Sequence, residues 1–194
     1  MTTLRLRLST LLIAAGLISS ASAFQAKIGL PSPKFSAVSI DGKRLFLGDL
    51  QNEGPIFLYF MRDGDPTTRL ATTYIERIVR SYVPSRANWY AVVDGRADRM
   101  RSVASEYNLP FRMLRDEDLS VVHAFGIQNS PAVVEIGSDG KVMNIWKGYS
   151  GYRLKAINKA TAEINYRKVR HIDFSKTPST TIYGVDYQIP PIRS

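Results

Sequence analysis

The apolar positions of this chain fall into short unbroken runs that alternate with stretches of helical spacing. Ile56 to Phe60, IFLYF, has the aromatic-rich pattern of a central strand buried on both faces. Met61 to Gly64 follows as a polar turn. Asp65 and Pro66 then read as the N-cap and first residue of a helix, because Asp accepts bonds from unpaired amides and Pro lacks only an amide the helix never uses. Ala71, Tyr74, Ile75, Ile78 and Tyr82 recur at helical spacing, with Arg69, Arg77 and Arg80 on the other side, which predicts a helix ending near Val83, before Pro84.

Upstream, Phe35 to Ile40 and Arg44 to Leu47 flank an Asp41-Gly42 turn and predict a hairpin. Downstream, Trp89 to Val93 is a second apolar strand, and Ala97 to Tyr107 a helix with Met100, Val103, Ala104 and Tyr107 on one face. A short strand over Phe111 to Leu114 and a short helix over Leu119 to Phe125, closed by Gly126, come next. Ala132 to Ile136 and Val142 to Trp146 pair across a Ser138-Asp139-Gly140 turn, and Tyr152 to Ile164 closes the series as a helix. Strands and helices that alternate in this way form parallel strands joined by right-handed crossovers. Beyond Asn165, the alternation in IYGVDYQI (Ile182 to Ile189) fits an added edge strand or an extended segment lying across the domain. Disorder is the rival reading for the first part of the extension, and tyrosines between prolines are also the pattern of a partner-binding tail.

Met1 to Ala23 stands apart. Arg5 and Arg7 give a basic start, Leu8 to Ile18 an apolar centre and Ala21-Ser22-Ala23 an A-x-A site, the pattern of a secretory signal peptide cleaved after Ala23. The expected organisation is a signal peptide at 1–23, one domain at 24–165 and an extension at 166–194, partly extended or disordered. No segment of the mature chain has the apolar length of a transmembrane span. Export to the periplasm, if the source is Gram-negative, is the expected location. Removing the segment lowers the formal charge of +9 by two, and no Lys/Arg run has the density of a nucleic-acid surface.

Candidate chemistry is limited by composition. The chain has no cysteine and two histidines, His123 and His171, so a zinc or copper site would need carboxylates to complete it. No metal and no cofactor is expected. Asp65 reads first as a helix cap, with a role as ligand or catalytic carboxylate as the alternative.

The order of these elements resembles the thioredoxin-like superfamily, in its redoxin or thiol-specific-antioxidant branch. There a Phe-ended strand leads into Cys-Pro-x-Cys. Here Asp65 stands where the first cysteine would be and Thr68 where the second would be. Gly126-Ile127, Pro131, Asp139-Gly140-Lys141 and Gly148 follow the order of the family's second half. The resemblance spans roughly Gly29 to Asn165. It implies an α/β three-layer sandwich: a central mixed sheet with helices on both faces, an N-terminal β-hairpin and a C-terminal extension. It also implies a cis Ser130–Pro131 bond. Without a thiolate, no intrinsic disulfide or peroxide chemistry is expected. The resemblance implies instead a redox-inactive binding or assembly factor for a protein or peptide in the exported compartment, through a face made of Asp65, Pro66, Thr67, Thr68, Asn129, Ser130 and Pro131. The alternatives are an enzyme using Asp65 as base or ligand, and a divergent thiol-disulfide or peroxide-handling redoxin.

Overall fold

A computed structural model describes residues 25–188. The segment expected to be a signal peptide, residues 1–23, lies outside the described residues. One mixed sheet of seven strands carries the fold, in the order β2-β1-β5-β4-β3-β6-β7. The strands are β1 (Ser36–Ser39), β2 (Arg44–Phe46), β3 (Ile56–Met61), β4 (Asn88–Val93), β5 (Arg112–Arg115), β6 (Ala132–Ile136) and β7 (Val142–Lys147). β3, β4 and β5 run parallel, and β1, β6 and β7 each meet a neighbour antiparallel. The helices are α1 (Leu47–Asn52), α2 (Pro66–Ser81), α3 (Ala97–Tyr107), α4 (Ser120–Ala124) and α5 (Gly151–Ile164).

Alternation along β3 divides the core in two. Phe57, Tyr59 and Met61 face a cluster built with α2, α3 and α5, while Ile56, Leu58 and Phe60 face one built with α1 and α4. Every residue of β3 is buried, as expected of a strand covered on both faces. Three layers result, with β3 at the centre. Phe57 stacks on Trp89 at 4.3 Å between ring centroids. Tyr82 ends α2 fully buried, with its hydroxyl donating to Asn158 Oδ1 at 2.8 Å.

Two features depart from the periodicity reading. Leu47 starts a short helix instead of ending a strand, because Leu47 and Leu50 bury the same face over a stretch too short for helical spacing to register. The extension is packed against the domain along much of its length. Phe174 joins the α2/α3/α5 cluster, Asn158 Nδ2 donates to the Arg170 carbonyl at 2.9 Å, and Gly151 N–H donates to Pro178 O at 3.0 Å.

Glu135 of β6 is buried and its carboxylate accepts from Asn144 Nδ2 at 2.7 Å. Burial raises its pKa, with the Asn144 bond opposing. A carboxyl whose folded pKa is raised favours the fold fully below its unfolded value of about 4.3, and that contribution is lost as pH rises through the folded value. Glu135→Gln keeps the acceptor and removes the buried charge. The variant's urea midpoint, relative to wild type, is therefore expected to rise between pH 4 and pH 7. A difference that moves in wild type's favour as pH rises would contradict this.

Candidate functional site

The carboxyl ends of β3 and β4 place the site. β3 and β4 are in register with Met61 opposite Val93, so the next residues, Arg62 and Asp94, emerge side by side. They form an ion pair, Nε to Oδ2 at 3.3 Å, with both side chains almost wholly buried. Burial raises the Asp94 pKa, while the Asp63 amide, donating at 3.1 Å, and the Arg62 guanidinium oppose it. Sequence reasoning left both residues in turns, although the strand register would have paired them.

Asp65 caps α2 as expected, accepting from Thr67 N–H at 2.9 Å. Its second oxygen does more. Oδ2 accepts from the Thr68 hydroxyl at 2.9 Å, the Ser130 hydroxyl and the Val185 N–H at 3.4 Å. Asp65, Thr68 and Ser130 are buried, Pro131 is buried beside them, and the Ser130–Pro131 bond is cis. Thr67 and Asn129 are partly exposed and Pro66 exposed. The structure thus joins the start of α2 directly to the 129–131 loop through one carboxylate, although 65 positions separate Asp65 from Ser130.

What covers this face is the chain's own C-terminal segment. Tyr149 and Ile182 exchange main-chain bonds at 2.8 and 2.9 Å. Gly184 N–H donates to Ser130 O at 2.6 Å, Ser130 N–H to Val185 O at 3.3 Å, and Tyr187 N–H to Gln128 O at 2.9 Å. Arg62 Nη1 donates to the Asp186 carbonyl, and its guanidinium lies over the Tyr187 ring, 5.7 Å from the centroid. Tyr187 is buried in the α1/α4 cluster. Of the two expectations for IYGVDYQI, the extended segment across the domain is the one seen; Ile189 lies outside the described residues.

Two glycines permit the crossing. A Cβ on Gly184 would collide with the Asp65 carboxylate, and one on Gly148 would come within 2.6 Å of Thr181 Cγ2 and 2.7 Å of Ile182 O. Gly148 also sits at φ 81°, a left-handed conformation that favours glycine. Gly184 is needed for space alone, so no turn signal in the sequence marked it.

Beside Asp65, a cleft of about 230 Å³ opens between α2 and α3. Its charged walls are internally paired, Arg99 with Asp63 at 2.8 Å and Arg69 with Glu106 at 3.1 Å. His123 is exposed on α4. Among the described residues, no group of three or more His, Cys, Asp or Glu side chains is placed to hold a metal, and no helix is long and apolar enough to cross a membrane.

Residues 28–145 match the model of the AhpC/TSA family, and the chain belongs to that family. The thiol-disulfide oxidoreductase ResA of Bacillus thuringiensis (strain Al Hakam) is 24% identical over 118 residues, covering 60% of this chain and 68% of that protein. Among solved structures, an uncharacterized conserved protein from Geobacillus kaustophilus superposes with a TM-score of 0.66 at 18% identity, covering 86% of this chain and 94% of that one. A secreted Mycobacterium tuberculosis disulfide oxidoreductase homologous to E. coli DsbE superposes at 0.51 with 22% identity, over 57% and 81%. The fold is thioredoxin-like, with no cysteine to carry the oxidoreductase chemistry that two of those relatives are named for.

Proposed function

We propose that this chain is an exported, redox-inactive thioredoxin-like protein that binds or assembles with a protein or peptide partner through the face formed by the start of α2 and the 129–131 loop. The observation that carries this reading is the extended segment seated there. The face holds an extended polypeptide by main-chain bonds on both sides of Ser130, so it has the geometry of a peptide groove without the thiols. The signal-peptide pattern supports export, and a structural relative is described as secreted. Asp65 spends its carboxylate on four donors, two of them from its own helix and two from Ser130 and Val185. That arrangement favours an organising role for Asp65 over one as base or ligand.

A photo-crosslinking residue at Thr67, beside the groove, tests the reading in the exported fraction, with Lys159 on the exposed side of α5 as the control position. Discrete protein adducts from position 67 and none from 159 are expected, together with no insulin reduction above a protein-free control. Equal labelling from both positions, or none from 67, would remove the function from this face.

A further inference from the structure

The segment Thr181–Gln188 is held as a bound peptide is held. Its contacts are mostly main chain; Gly184 lies against Asp65 and the Tyr187 side chain is buried, while Tyr183 and Val185 remain exposed at 55% and 37%. Exposed Ser179 and Thr180 separate it from Phe174–Pro178, which is anchored independently to α2 and α5 by the Phe174 side chain and the Gly151–Pro178 bond. Main-chain recognition reads little sequence, so any selectivity comes from the positions that touch side chains.

Three such positions are visible. Ile182 packs against the α2/α3/α5 cluster where it pairs with Tyr149. Gly184 lies against the Asp65 carboxylate, where even a methyl group has no room. Tyr187 fills a buried site under the Arg62 guanidinium. The spacing is aliphatic, any residue, glycine, two of any residue, then an aromatic.

We propose that Thr181–Gln188 is an intramolecular stand-in for the partner. In this assignment the groove recognises an extended segment of the pattern Ile-x-Gly-x-x-Tyr on another protein, and the tail must leave before that segment binds. This rests on the binding role proposed above and names the ligand chemistry and the gate. A self-occupied groove lowers apparent affinity by the fraction of molecules that are open, so weakening the tail strengthens binding in trans.

The test uses the intact chain and a fluorescent peptide of residues 181–188, followed by anisotropy. Gly184→Ala in the chain disfavours its own tail while leaving the groove unchanged. It is expected to bind the peptide at least tenfold more tightly than wild type does, and the peptide carrying Ala in place of Gly184 is expected to bind neither. Amide exchange at Val185 and Tyr187 reports whether the tail has left. If Gly184→Ala fails to fold, the same titration is made on the wild-type sequence cut at a protease site introduced between Ser179 and Thr180 after folding. Equal affinity of opened and wild-type chains overturns the proposal. So does tight binding of the Ala peptide, retention of the tail in Gly184→Ala, or a concentration-dependent wild-type dimer with tails exchanged between copies. Crosslinking from Thr67 in the exported fraction is independent of all these outcomes, so loss of the gate and loss of the binding function are separately visible.

Discussion

Replacing Tyr187 by Ala is expected to destabilise the protein by about 3–5 kcal/mol, the cost of removing a large aromatic side chain from a packed core. Here the ring is 3% exposed and packs with the α1/α4 cluster beneath Arg62. Tyr187→Phe separates the packing from the hydroxyl. The Tyr187 oxygen is buried with no hydrogen-bond partner among the described residues, and burial raises its pKa well above the ordinary value, with Asp94 adding to the effect. Deleting a buried, unsatisfied hydroxyl removes a desolvation cost, so Phe is expected to be neutral or slightly stabilising. Urea denaturation of both variants decides the matter. An Ala variant as stable as wild type would show that the tail contributes nothing to the fold.

Asp65→Ala is expected to cost about 2–4 kcal/mol, well above the roughly 1 kcal/mol of a lost helix cap. The excess comes from the Thr68 and Ser130 hydroxyls and the Val185 amide, all of which lose their acceptor together. Asp65→Asn distinguishes a cap from a hub. Asparagine caps helices about as well as aspartate, so a simple cap predicts a silent substitution. In this structure both oxygens accept, Oδ1 from Thr67 N–H and Oδ2 from three further donors; an amide NH₂ faces Thr67 N–H in the first place and Val185 N–H in the second, donor against donor, while the Thr68 and Ser130 hydroxyls can rotate to accept. Asn is therefore expected to destabilise measurably and to loosen the tail, seen as faster amide exchange at Val185. A melting temperature unchanged by Asn, with unchanged exchange, would return Asp65 to the role of a cap.

Most of the sheet was legible because its signals are local. The runs at Ile56–Phe60 and Trp89–Val93 lack polar interruption and Ala132–Ile136 has one, Glu135, and each turned out buried almost throughout. Asp65-Pro66 signals a helix start by its own chemistry, since a cap is satisfied within three residues. The resemblance supplied the cis Ser130–Pro131 bond, which no periodicity encodes. Asp116 shows the opposite case. Its carboxylate accepts the Val121 and Val122 amides and the Ser120 hydroxyl and so secures α4, but these partners are four to six positions away across an irregular turn that has no motif.

The candidate face divides along the same line. The sequence marked the central strand and the capped start of α2, its resemblance to the thioredoxin-like superfamily implied that the 129–131 loop lies beside that start, and the absence of cysteine removes thiol chemistry from that place. Only the tertiary structure decided that the face is occupied. The alternation in IYGVDYQI suits an edge strand and an extended segment across the domain equally, because period-2 patterning states that one side of a segment is covered and leaves open by what. The choice fell to contacts between residues more than fifty positions apart: the space at Gly184 for the Asp65 carboxylate, the main-chain bonds to Ser130, and the buried site that Arg62 and the α1/α4 cluster provide for Tyr187.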